Sequence, residues 1–283
     1  MLAPEPVFEK VCVAVRQAGV VAKAFQGKVQ NEGKDVEGVS QNESDRVKAQ
    51  RSAKTLIDEV VQDIVLMALL DEKDNIMLDA EEKTSLSKLF SSEGKEVSVV
   101  IDPIDGTLEY LEGEDNYSIC VGVIEYGEVK LAVVYFPARD IAYVVAPDGK
   151  SYVYRSFSEE GNSVPEAVAL PDTFKRTFLV NSRVPEDVSA PLRGEGFAVE
   201  DDQGNAAVAL LSVLSGGACA YLCDYRQIRD ILLGAVIGKA RNGFAKDSDG
   251  KPLVWPQVGR VPRAVFGNLG CAERAQLIFL QND

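Results

Sequence analysis

Along residues 7–28, VFEKVCVAVRQAGVVAKAFQGK, apolar side chains recur at three- and four-residue spacing and a glycine lies near the end, which predicts a helix. The stretch that follows, 29–50, is polar, glycine-bearing and without apolar periodicity, and reads as a mobile loop or hairpin. Helical spacing returns over 55–73, TLIDEVVQDIVLMALLDEK, and a short apolar run at 75–83 reads as a strand ending in acids. Strands then dominate: 97–105, 117–137 and 140–155 are rich in Val, Ile and Tyr and are broken by Tyr-Gly and Asp-Gly turn signals. The second half opens near residue 165. It offers a strand at 177–183, a small-residue helix at 204–218, a strand at 219–225, a helix at 229–243, an Asp-Gly hairpin at 244–255 and a last strand at 263–268. No regular βαβ period runs through these elements, so the expected class is a layered α+β fold, αβαβα, with one half over 1–165 and another over 166–283.

Composition narrows the chemistry. A chain of 283 residues fits one large domain or two packed halves. No apolar run approaches the roughly 18–20 residues of a membrane span, so no membrane is expected. The opening MLAPEPVFEK lacks the basic segment of a secretory leader, and the expected setting is the cytoplasm. Five scattered cysteines, an odd number, read as reduced thiols. A net charge of −14 disfavours a nucleic acid polymer as partner, because phosphate backbones call for clustered Lys and Arg. The same charge would repel a phosphorylated substrate unless divalent cations stood between them. Histidine is absent, which removes Ser-His-Asp triads, His-ligated zinc and phosphohistidine chemistry.

The acids fall at element ends. Asp102 and Asp105 close the run VVIDPIDGT, Glu81 and Glu82 end the strand before it, Asp58 lies in the preceding helix, and Asp230 opens a later one. Neighbouring carboxylates stay ionised at neutral pH only beside compensating positive charge. Mg²⁺ or Mn²⁺ provides it with oxygen ligands, whereas a soft metal would ask for Cys or His. Gly106 and Thr107 add what a phosphate needs, backbone N–H groups and a hydroxyl. Taken alone, Asp-x-x-Asp-Gly is as readily a turn, and Glu81-Glu82 a solvated pair. Their conjunction is what points to chemistry.

These residues resemble the inositol monophosphatase family of the lithium-sensitive, magnesium-dependent phosphatase superfamily. DPIDGT at 102–107 matches its central signature, AEE at 80–82 stands upstream as the family pattern requires, and Thr55 with Asp58 resembles its TxxD segment. The tract 204–243 is similar to its second signature. The resemblance implies the αβαβα fold of inositol monophosphatases and fructose bisphosphatases, a homodimer, and two or three Mg²⁺ ions with Mn²⁺ as a possible substitute. It implies that Glu81, Asp102 and the Ile104 carbonyl hold one ion and Asp102, Asp105 and Asp230 a second, with a weaker third near Glu81 and Glu82. Thr107, hydrogen-bonded toward Asp58, would orient the attacking water, with Glu81 also counted among the catalytic groups. Gly106, Thr107, Gly204, Asn205, Ala206 and Cys223 would surround the substrate.

The chain departs from the family at the alcohol pocket. Arg229-Asp230 stands for the usual Trp-Asp, Cys223 for a frequent acid, Asn205 for Ser or Thr, and Cys219 for a common Asp. Arg226 or Arg229 could meet a second anionic group on the substrate or could be surface arginines at a helix start. Cys223 and Arg229 satisfy Cys-x5-Arg, but CDYRQIR lacks the glycines of a thiol phosphatase loop. Asp-x-x-Asp is one residue too long for a haloacid dehalogenase pair, and DGKSY lacks the first glycine of a Walker loop. DSDGK at 247–251 is a turn without the later ligands of an EF-hand. The expected function is therefore Mg²⁺-dependent hydrolysis of a small phosphorylated alcohol, inositol monophosphate or a related sugar phosphate. The alternatives are 3′(2′),5′-bisphosphate nucleotidase, toward which Glu109 leans, fructose 1,6-bisphosphatase, and a catalytically weakened metal- or phosphate-binding regulator.

Overall fold

The computed structural model describes residues 4–34, 45–91, 93–159, 161 and 163–271. Helix α1 (Pro4–Phe25) turns Val7, Val11, Val15, Ala18 and Ala22 to one face, and α3 (Leu56–Ala68) does the same with Ile57, Val61 and Val65. Together they cover one face of a seven-stranded sheet. That sheet runs in chain order through β1 (Ile76–Ala80), β2 (Val97–Asp105), β3 (Ser118–Glu125), β4 (Glu128–Phe136), β5 (Ile141–Val145), β6 (Ser151–Arg155) and β7 (Glu166–Ala167). Only β1 and β2 are parallel; the rest is an antiparallel meander.

A second sheet of five strands has the order β11 (Gly243–Asp247), β12 (Arg260–Asn268), β10 (Ala220–Gln227), β8 (Thr177–Val180), β9 (Ala198–Asp201). Between the two sheets lie α6 (Ala206–Leu214) and α7 (Leu232–Lys239). The core there joins Val134 and Phe136 of the first sheet to Leu210 and Val236 of the helices and Tyr221 and Phe266 of the second sheet. Contact is close: a Cβ on Gly234 would sit 2.5 Å from the Phe266 ring. On the outer face, α5 (Glu186–Gly194) lays Val188 and Leu192 on Phe178 and Leu222. The layers are thus α, β, α, β, α. All five cysteines are buried, and no helix among the described residues is long and apolar enough to cross a membrane.

Several boundaries differ from the sequence expectation. The end of the polar stretch 29–50 is a helix, α2 (Asp45–Ser52), while 35–44 lie outside the described residues. Its register comes from tertiary bonds rather than an apolar stripe: Arg46 and Gln50 both donate to Glu109 of α4 (Thr107–Glu112), at 3.1 and 2.6 Å. The helix expected over 229–243 begins as a 3-10 turn, Arg229–Ile231, and ends at Lys239. Residues 244–255 fold back at the Asp-Gly turn, with Asp247 N donating to the Lys251 carbonyl at 3.0 Å, Leu253 N to the Ala245 carbonyl at 3.1 Å and a bridge from Lys246 to Pro252, while β11 finds its strand partner in β12. Helix α5 and strand β9 carry no sequence expectation at all: α5 contains Pro191, and β9 is largely exposed.

Candidate active site

Strand β2 is buried along its whole length, so it ends deep in the molecule rather than at the surface. Its last residues break register with β3: Asp102 faces Cys120 and Asp105 faces Ser118, three steps against two. In a regular strand two residues three apart point to opposite faces. The bulge, placed at Pro103 where no N–H is available to the ladder, swings both carboxylates toward one cleft.

Gly106 makes the turn that follows. Its φ is +88°, and a Cβ there would lie 2.7 Å from the Asn116 carbonyl oxygen and 2.8 Å from the Asn205 side-chain nitrogen. Any other residue would be both strained and obstructed. The chain then enters α4 at Thr107, whose hydroxyl lies 3.0 Å from the Ile104 carbonyl oxygen and 3.2 Å from Asp58 Oδ1. Asp58 is held in turn by a capping box at the start of α3. The Thr55 hydroxyl and amide donate to its Oδ2 at 2.6 and 2.9 Å. Burial pushes the Asp58 carboxyl up to about 6, against the pull of those two hydrogen bonds.

The cleft, about 330 Å³, gathers Glu81, Asp102, Asp105 and Asp230 from three element ends. Burial raises Asp102 well above the usual carboxylate range, and Glu81, Asp105 and Asp230 add to the effect by repulsion. Asp105 is raised by burial and by Asp230, and its Oδ2 accepts only a long bond, 3.3 Å, from the Ala207 amide. Asp230 is raised by burial although Arg226 and Arg229 oppose this. Burial works against the Glu81 carboxylate too, yet Lys34 and Arg229 hold it below the usual range. Lys34 Nζ hydrogen-bonds Glu81, and Arg229 Nε lies 3.8 Å from it.

Among the described residues no three acids enclose a ready-made cation cage in this arrangement. The donor chemistry nonetheless fits a hard divalent ion. The groups are carboxylates and the Ile104 carbonyl, and Asp102 Oδ1 is buried with no hydrogen-bond partner. Mutual repulsion among buried acids is relieved by a cation as well as by protons.

The remaining expected residues divide. Gly204 lines the cleft. Asn205 stands beside it but spends its side chain on structure, accepting from Val208 N at 3.0 Å as the cap of α6 and donating to the Asn116 carbonyl at 3.0 Å. Glu82 lies behind Glu81, with its backbone paired to Gln62 and its carboxylate 2.9 Å from Lys54. Ala206 and Cys223 are not brought to the cleft. Both are fully buried in the inter-sheet core, because the two-residue period of β10 turns Cys223 with Tyr221 toward α6 and α7. Burial also pushes the Cys223 thiol up, the reverse of what a phosphatase nucleophile needs. Glu109 accepts from Arg46 and Gln50.

The arginines considered for a second anion are largely engaged. Arg226 donates to Asp202 at 2.7 Å and lies 3.7 Å from Asp230; Arg229 donates to Asp79 at 3.3 Å. The sequence reading missed Lys34, Gln50, Arg183, Gln227 and Arg260 in the lining. Lys34 lies in the polar stretch 29–50, which reads as a loop or hairpin and gives no signal for it. The others come singly from separate elements and had none.

The chain has relatives among known proteins. A profile described as "Inositol monophosphatase family" matches residues 4–275. Inositol-1-monophosphatase of Bacillus subtilis is 28% identical over 183 residues, which are 59% of this chain and 62% of that protein, so the match spans less than two thirds of the relative. A putative Nus factor SuhB of Neisseria meningitidis is 24% identical over 217 residues, 69% of this chain and 73% of that one. Among solved structures, an IMPase/NADP phosphatase complexed with Mg²⁺ and phosphate superposes with a TM-score of 0.70 at 18% identity, covering 95% of this chain and 93% of that one.

Proposed function

Because the chain belongs to the inositol monophosphatase family, we propose that it is a metal-dependent phosphatase hydrolysing the phosphate monoester of a small alcohol, of the inositol or sugar phosphate class. The observation that carries this reading is the convergence on one cleft of the buried Asp102–Asp105 pair and a Thr107 hydroxyl fixed between Asp58 and the Ile104 carbonyl. Glu81, Asp102, the Ile104 carbonyl, Asp105 and Asp230 would hold two Mg²⁺ ions, with Glu82 near a weaker third, and Mn²⁺ is the natural substitute. When bound, the ions would supply an acidified water and neutralise the leaving alkoxide.

The chain's own groups do the positioning. With its proton directed to Asp58 or the Ile104 carbonyl, the Thr107 oxygen keeps lone pairs with which to accept from and aim a water. Asp58, raised to about 6 by burial, is suited to take up a proton near neutrality. The first-turn amides of α4, Thr107 among them, lack intrahelical acceptors and can donate to phosphate oxygens. Gly106 lets the phosphate approach the backbone closely. As the family resemblance implies, we take the protein to act as a cytoplasmic homodimer, which sedimentation would test.

The deciding measurement is phosphate release from inositol 1-phosphate with and without Mg²⁺, beside Asp102→Asn. Magnesium-dependent release that the substitution abolishes supports the reading; release independent of both would sink it. A second reading, a regulator that binds metal or phosphate with weakened catalysis, is favoured by one observation: Lys34 and Arg229 sit on Glu81 where the third ion would lie. Binding of Mg²⁺ without turnover of any phosphate monoester would favour it.

A further inference from the structure

We infer that Asp79 is a positioning residue for the metal site: it holds the Arg229 guanidinium off Glu81, so that Glu81 stays open to a divalent ion. The inference rests on the metal-dependent phosphatase reading and adds to it a residue that lies outside the motifs.

Asp79 and Glu81 are two residues apart where β1 ends. The Glu81 amide donates to the Ile101 carbonyl at 3.2 Å, which carries the β1–β2 pairing past Ala80. The two-residue period of a strand then sets both carboxylates on one side. Both face Arg229, Asp79 Oδ1 at 3.3 Å from Nη1 and Glu81 Oε2 at 3.8 Å from Nε. The first separation is a hydrogen bond and the second is not. Arg229 Nε is buried and has no hydrogen-bond partner among the described residues. A buried guanidinium N–H left unmade costs free energy, and this one stops just short of a carboxylate that would satisfy it. Something restrains it.

Asp79 can supply the restraint because it is itself fixed. Its Oδ2 accepts from the Gly259 amide at 2.6 Å, and the Gly259 carbonyl accepts from the Ile228 amide at 3.0 Å. Ile228 precedes Arg229, so the contacts close a ring: Asp79 to Gly259, Gly259 to Ile228, along the chain to Arg229, and back to Asp79. The ring ties the end of β1 in the seven-stranded sheet to the residues that enter β12 and leave β10 in the other. Its ion pair is shielded, with 16% of the Arg229 side chain and 14% of the Asp79 side chain exposed. In the family signature a Trp precedes the acid at position 230, and a Trp has no charge with which to compete for Glu81. An arginine does, and freed from Asp79 it would take Glu81 in a charge-assisted bond that an incoming ion would have to break. The charge at 229 therefore asks for an acid to hold it, and Asp79 is that acid.

Mn²⁺ titration of the substrate-free protein, with the free ion read by electron paramagnetic resonance, tests this through a double-mutant cycle. Asp79→Asn keeps the side chain's shape and an oxygen for the Gly259 amide but gives up the charge that holds Arg229. It should weaken Mn²⁺ binding about tenfold or more, and in an Arg229→Gln background the same substitution should cost less than about threefold. Arg229→Gln alone should bind Mn²⁺ as tightly as the parent or tighter, whereas a pair that served only the fold would lose affinity when either member was changed. Melting temperatures show whether the variants remain folded, and if Asp79→Asn does not, Arg229→Gln alone decides. Equal losses from Asp79→Asn in both backgrounds, as a simple field effect of the lost charge would give, would overturn the inference. So would no loss at all, a fall in affinity on Arg229→Gln, or no Mn²⁺ uptake by the parent. A parent that binds Mn²⁺ with the expected cycle and releases no phosphate from any monoester would count against the phosphatase reading alone.

Discussion

The two sheets end on the same cleft with opposite chemistry. The seven-stranded sheet delivers Asp102 and Asp105 from one buried strand, with Thr107 two residues later, all positioned by backbone geometry: a bulge, a left-handed glycine and a helix start. The five-stranded sheet delivers arginines from separate loops and strand ends, Arg226 held by the Asp202 carboxylate, Arg260 by the Gln227 side chain and Arg183 by the Tyr225 carbonyl. The first end is dictated by how the chain turns and tolerates little variation. The second is assembled from separate side chains, and Arg226, 3.7 Å from Asp230, is where the two ends meet.

The sharpest way to break this comparison is Asp102→Asn. Loss of a charged ligand should lower Mg²⁺-dependent phosphate release on the order of a thousandfold. The same change removes a buried like charge, so the metal-free protein should melt higher than the parent in a calorimetric scan. Next is Gly106→Ala, which meets both a φ of +88° and a contact at 2.7 Å. It should destabilise the fold by about 2–4 kcal/mol in urea titration and abolish turnover.

The pH response comes third. Asp58, Asp102, Asp105 and Asp230 all hold protons more tightly folded than unfolded. Folding therefore takes up protons, and metal-free stability should fall as pH rises from the ordinary value of 3.8 through about 6, the value of Asp58, and beyond for the more strongly raised groups. Thermal melts at pH 5 and 7.5 should show a decline of several degrees, and Mg²⁺ at pH 7.5 should reverse it. A metal-free melting temperature that rises over this interval would show that the acids are not crowded as described. The smallest effect belongs to the other end. Asp224→Asn weakens the Arg263 pair and loosens Tyr225, and should cost about 1–2 kcal/mol with little change in Mg²⁺ affinity.

The same contrast explains what could be read before the fold was known. DPIDGT and Thr55-x-x-Asp58 are legible because a bulge, a turn and a capping box each require particular residues at adjacent positions. The layered class followed from strand-like and helix-like periods that the buried faces of α1, α3 and β2 obey. Helix α2 was hidden because its hold on α4 is polar, Arg46 and Gln50 to Glu109, and leaves no apolar stripe. Cys223 and Ala206 are expected at the substrate because their positions in the family signature say nothing of which side of β10 or of α6 they face. Arg183, Gln227 and Arg260 share a wall only after β8, β10 and β12 have come together.

One contact far from the chemistry bears on substrate range. Helix α7 fits between the sheets only because Gly234 lets it rest on Phe266. The helix works as a gauge block: its thickness fixes how far the acidic jaw stands from the basic one. Volume added at such a position would push the sheets apart, so the separation of the two walls of the cleft is written partly into residues outside its lining.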